Sequence, residues 1–190
     1  MKVVNGLFLM ALVLSFMACA SVPVTRVNVQ SFEIRKDGVT PNAAVAKMTA
    51  VLVDRGFDVK MTNTDSGIVT TEYKKFASIG SRPPFDYYMQ IRTRVRAADG
   101  VTSISLIPAV KEQDRLNLAA FSEHELEYYI GDAENVSEIA SMRPDVGWRA
   151  MAQITFMNIV SEAADAFGVD VDEVVQHVTQ TPVDAGDVEN

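Results

Sequence analysis

Three arginines stand at alternate positions of one segment: Arg92, Arg94 and Arg96. If that segment is a strand, alternate side chains share a face and follow one another at roughly 7 Å. Three guanidiniums in such a row would bind phosphates or an acidic partner through charge-assisted hydrogen bonds. Glu123, Glu125 and Glu127 repeat with the same period. A neighbouring strand that laid those carboxylates beside the arginines would make the row internal structure instead. Both readings stand at this level.

Other residues able to do chemistry are few. His124 lies between Glu123 and Glu125, and His177 follows Glu173 by four residues. Each group offers fewer ligands than a metal centre needs. A solvated strand surface accounts for the first and a helical ion pair for the second. Trp148, Tyr128 and Tyr129 could line a pocket, but aromatics at such spacing more often belong to a core. There is no G-x-S-x-G, H-E-x-x-H, Gly-rich phosphate loop or Cys-x-x-Cys. No catalytic residue, metal or cofactor is predicted, and the chain is expected not to be an enzyme.

Cys19 is the single cysteine of the chain, and its position is distinctive. Lys2 precedes an apolar run over residues 7–18, broken only by Ser15. About 12 apolar residues is short for a transmembrane helix and suits the h-region of a signal peptide. Phe16-Met17-Ala18-Cys19 resembles the lipobox of bacterial lipoproteins, with Phe16 where that family usually has Leu. The resemblance implies a signal peptide over 1–18, a diacylated Cys19 as the new N-terminus and a lipidated tether over 19–25. It also implies sorting to the outer membrane, facing the periplasm, because Ala20 follows the cysteine. Acyl chains in that number anchor stably where one would not. Ala18-Cys19-Ala20 also fits ordinary signal-peptidase cleavage, which would leave a soluble periplasmic protein. In a bacterial lipoprotein the glycosylation sequon Asn135-Val136-Ser137 has no use.

The remaining elements must position the arginine row. Residues 26–168 read as one α+β domain. Val27 and Val29 start a strand that continues through Phe32 and Ile34 on the opposite phase, with a phase shift near Ser31. Thr40-Pro41 is an N-cap with proline at the first helical position, and Gly56 suits a left-handed C-cap, giving a helix over 41–55. Phe57, Val59 and Met61 and then Val69, Thr71 and Tyr73 alternate about the turn cluster 63–67. Residues 76–86 read as a loop because of Pro83-Pro84.

Asp99-Gly100 is a favoured type I′ pair. Counting outward pairs Val95 with Ile104 and Thr93 with Leu106 on one face, and Arg96 with Ser103 and Arg94 with Ser105 on the other. Only that register sorts apolar from polar residues. Leu126, Tyr128 and Ile130 favour a further strand. Trp148, Ala152, Phe156, Ile159, Val160, Ala163 and Phe167 form one helical stripe closed by Gly168. Asp170 and Glu173 suggest a capped amphipathic helix over 169–178, and 179–190 reads as a disordered acidic tail.

The expected fold is thus an antiparallel β-meander with one face covered by two helices. That order, with the pattern LVDRGFDV…DSGIVTTEY, resembles the helix-grip modules of accessory lipoproteins of the outer-membrane β-barrel assembly machine. The resemblance covers residues 25–168 and implies a scaffolding or assembly role. Its partners would be the membrane through the lipid anchor and another envelope protein or an anionic envelope component. The alternative is a lipoprotein holding a small or lipidic molecule between sheet and long helix. A net charge of −8 argues against nucleic acid, whose phosphates attract a basic surface.

Overall fold

The computed structural model describes residues 25–79, 84–130 and 144–179. The segment expected to be a signal peptide, Cys19, Asn135 and the residues beyond 179 lie outside the described residues. The elements are β1 (Thr25–Asp37), α1 (Pro41–Asp54), β2 (Val59–Asn63), β3 (Ile68–Thr71), β4 (Lys74–Ile79), β5 (Phe85–Ala98), β6 (Val101–Asp114), β7 (Phe121–His124), β8 (Leu126–Ile130), α2 (Pro144–Phe167) and β9 (Val175–Thr179). All nine strands join one antiparallel sheet, ordered β2-β3-β5-β6-β1-β8, with β4 on β5, β7 on β6 and β9 on β1.

The β5–β6 hairpin is the spine of this sheet. Asp99 and Gly100 both have positive φ, 53° and 83°, as a type I′ turn demands. Its ladder pairs Ala98 with Val101 and runs unbroken to Phe85 with Asp114, in the register expected. Met89, Ile91, Val95, Ile104, Leu106 and Val110 consequently fall on one face and are all buried. The phase shift in β1 is present as an irregularity between Val29 and Ser31, which returns Phe32 and Ile34 to the same buried face.

Both helices cover that face. Thr40 caps α1 by accepting from the Ala43 N–H at 3.3 Å, and Gly56 leaves it at φ 72°. The predicted stripe of α2 is buried from Trp148 to Phe167, and Phe156 meets Phe32 edge to face at 5.5 Å. The last turn of α2 has no basic residue of its own. Lysines from elsewhere serve its free carbonyls: Lys36 on β1 donates to Gly168 and Lys47 on α1 to Ala166, both at 3.0 Å. Gly67 closes the β2–β3 turn at φ 66°, and an added Cβ would stand 2.2 Å from the Val95 carbonyl oxygen. Only glycine fits there.

Three expectations are corrected. Residues 169–178 do not form an amphipathic helix. Asp170 caps only a 3-10 turn over Val171–Glu173, and β9 then pairs with the outer edge of β1. The β-branched valines 174, 175 and 178 suit a strand, and the open backbone of β1 offered them a partner. The domain therefore extends through residue 179. The loop expected at 76–86 is shorter, because β4 resumes pairing with β5 after Glu72 and Tyr73 bulge out. Beyond these, β6 continues to Asp114 and β7 follows at Phe121–His124.

Replacing Phe156 with Ala removes the ring at the centre of the core and should cost about 3–5 kcal/mol in denaturant unfolding. Glu162→Ala, which loses only a half-exposed ion pair with Arg55, should cost at most about 1 kcal/mol.

Candidate functional site

The face of the sheet opposite the helices carries the arginine row. Arg92, Arg94 and Arg96 are all exposed, while Ile91, Thr93 and Val95 between them are buried. Arg94 stands between Ile68 on β3 and Ser105 on β6, and Arg92 between Thr70 and Ile107. Arg96 faces Ser103, beyond which lies Arg35 of β1. No neighbour in this set is acidic.

The internal pairing with Glu123 and Glu125 does not form among the described side chains, and the side chain of Glu127 lies outside them. Strand β5 already has β3 and β4 on one edge and β6 on the other, so β7 adds to β6 and sets Glu123 opposite Lys111. The backbone of Glu127 pairs with Asn28. Among the described residues, no carboxylate lies within ion-pair distance of the three arginines. Arg92 donates from Nε to the Gln90 Oε1 at 3.2 Å, and Gln90 in turn donates to the Thr71 carbonyl at 2.8 Å. That chain holds one end of the row in place.

Glu33 is an acid of the central open face, and it is fully engaged. It takes hydrogen bonds from Arg35 Nε at 2.9 Å and Ser103 Oγ at 2.7 Å, and its other oxygen lies 2.8 Å from His177 Nε2. The Arg35 bond, with those of Ser103 and His177, outweighs the effect of burial and holds the carboxyl at about 2, well below its usual 4.5. A shallow depression of about 440 Å³ opens here, lined by Glu33, Arg35, Arg96, Ser103 and Ser105 among others. Its lining mixes charges, with Glu33 and Asp99 beside Arg35 and Arg96 and the hydroxyls of Ser103 and Ser105 between them.

Sequence reasoning found the arginine row and missed Glu33, Arg35 and His177. Glu33 and Arg35 alternate with Phe32 and Ile34, so the period of two marked their face. What they would meet depended on β6 and β9. His177 is not paired with Glu173, because a strand rather than a helix carries it. His124 is not a plain surface residue: its ring packs 5.1 Å from Trp148, and Glu112 lies 3.9 Å from its Nε2. Trp148 stacks on Tyr87 at 4.9 Å and is core, as expected. The side chains of Tyr128 and Tyr129 lie outside the described residues. No group of three or more candidate metal ligands occurs among the described residues.

A search of protein families and one of curated proteins return no match to this chain. Among solved structures, a TBP-like protein from Parabacteroides distasonis aligns with 79% of this chain and 97% of its own, at 14% identity and a TM-score of 0.44. A DUF4468 family protein from Bacteroides ovatus aligns with 74% of this chain and 86% of its own, at 16% identity and a TM-score of 0.41.

The depressed Glu33 carboxyl yields a pH prediction. Because its folded value lies below the unfolded one, its contribution is complete above about 4.5 and fades as pH falls toward about 2. Urea unfolding followed from pH 7 to pH 2 should show Glu33→Gln losing stability at neutral pH, with a shallower acid decline than the parent between those two values.

Proposed function

We propose that this chain is a non-enzymatic cell-envelope lipoprotein that scaffolds or assists assembly of other envelope components. Acylated Cys19 tethers it to the outer membrane, and the domain faces the periplasm. The open sheet face binds the partner, an envelope protein or component of anionic character, through Arg92, Arg94 and Arg96. The fold, two helices gripping one face of an antiparallel sheet, is helix-grip-like.

The observation that carries this reading is the contrast between the two faces. One is sealed by helices; the other presents three exposed guanidiniums with no carboxylate within ion-pair distance among the described residues, on a chain of net charge −8. Evenly spread charge would leave no such concentration, and complementary charge gives specificity and encounter rate. The space between sheet and α2, where the alternative would place a ligand, is filled by Phe32, Ile104, Leu106, Phe156 and Ile159, all buried. A cavity of about 310 Å³ beside α2 is half open and bordered by Arg55, Lys74 and Lys75. A filled core favours the scaffold over the carrier.

Two variants test the reading. Cys19→Ala should shift the protein from the detergent-extracted fraction to the soluble one, with loss of the lipid mass increment. Changing all three arginines to Gln should leave the melting temperature nearly unchanged, because exposed charges contribute little. Partner recovery from detergent-solubilised membranes should fall and lose its salt dependence. Retention of the Cys19→Ala protein in the membrane without any lipid mass would overturn the anchor. Undiminished, salt-independent recovery by the arginine variant would overturn the site.

A further inference from the structure

Between β6 and β7 the chain makes a loop, residues 115–120, whose apolar side chains face water. Leu116 is 80% exposed and Leu118 70%, and Phe121, which follows, is 56% exposed. Apolar side chains held this far out within a few residues mark a contact surface.

The loop is ordered by its own hydrogen bonds. Asp114 Oδ1 accepts from the Leu116 N–H at 2.7 Å, and Gln113 Nε2 donates to the Leu118 carbonyl at 2.8 Å. The Ala120 N–H donates to the Asn117 carbonyl at 2.9 Å, and the Arg115 N–H to the Pro84 carbonyl at 3.0 Å. Backbone groups satisfied in this way lower the penalty for leaving water. Cations and carboxylates, among them Glu112 and Asp114, both flank the tip. Lys111 Nζ stands 4.3 Å above the Phe121 ring, and Arg115 is 40% exposed beside Asp86.

Topology sets this loop near the tether. Strand β1 runs antiparallel to β6, pairing Phe32 with Leu106 and Asp37 with Val101. The chain therefore enters that ladder from the end at which β6 finishes, while the Asp99-Gly100 turn lies at the other. Five residues, 20–24, separate Cys19 from Thr25, and the stretch between the two spans at most about 20 Å.

We propose that the 115–121 loop is a second membrane contact, inserting Leu116 and Leu118 among the lipids that hold the Cys19 acyl chains. An apolar tip flanked by the amphipathic side chains of Lys111 and Arg115 is the pattern of an interfacial contact. Acyl chains alone leave the domain free to tumble on its leash. A second contact orients it, with the β5–β6 turn pointing away from the bilayer. This inference rests on the lipoprotein reading of Cys19.

The test is the full-length, membrane-purified protein carrying Leu118→Cys, labelled with an environment-sensitive fluorophore. It is reconstituted into vesicles of phosphatidylethanolamine and phosphatidylglycerol. Because acylation blocks the sole native thiol, one label per chain reports residue 118. Ala98→Cys, beside the opposite turn, is the reference. Insertion predicts a blue shift and quenching by brominated lipid at 118 and neither at 98. Water-like emission at both positions overturns the membrane contact, including the case where shielding at 118 appears only on adding an envelope protein. Two labels per chain instead mean that Cys19 is free and the anchor reading fails. Insertion is then decided separately, by adding the same vesicles to the soluble labelled chain and reading the same quenching at 118.

Discussion

The β5–β6 ladder governs this molecule. Its register is imposed at one end by Asp99 and Gly100, both in the left-handed region, and is held across fourteen residues of each strand. A slip of one position would carry Ile91, Ile104 and Leu106 to the water and the arginines under the helices. Burying unpaired guanidiniums is so unfavourable that the turn and the patterning enforce the same answer. Strands β3 and β4 on one side and β1 and β7 on the other take their alignment from this ladder.

From that register follows the inequality of the two faces. The apolar face is closed by α1 and α2, and the C-terminal end of α2 is secured by Lys36 and Lys47 from separate elements. Those lysines join β1 and α1 to α2, so the cover is tied down at the point where a helix leaves its carbonyls free. The opposite face receives no cover among the described residues. Its cations are displayed by the same alternation that buries the hydrophobic residues.

Glu33 shows how such a face can contain an acid without losing its cationic character. Arg35, Ser103 and His177 occupy the carboxylate, drawn from β1 itself, from β6 and from β9. The acid thereby joins three strands and leaves Arg92, Arg94 and Arg96 without a counter-charge among the described residues. Asp86 plays a similar role at the far end of β5. Burial would raise its carboxyl, but Lys75, Ser78 and Arg115 outweigh that and lower it.

Local physics was legible in the sequence wherever one short-range rule dominated. Glycine's tolerance of positive φ marked the ends of both helices, and proline and threonine marked the start of α1. The Asp99-Gly100 turn with two-residue alternation fixed the register of β5 and β6 from the turn as far as Thr93 and Leu106, and with it the face of the arginine row. Sequence alone also identified Phe156 and its stripe as core. Elements whose conformation depends on a distant partner were not legible. Residues 169–178 have a helical cap and a strand's valines, and only the open edge of β1 decided between them. Glu123, Glu125 and Glu127 have the period of a partner strand, but β3 and β4 had already taken the edge of β5 they would have needed. His177 reached Glu33 because β9 crossed from the far end of the chain. Periodicity specifies which side chains share a face; which face meets which depends on the competition among strands for edges, and that is settled only when the whole sheet is assembled.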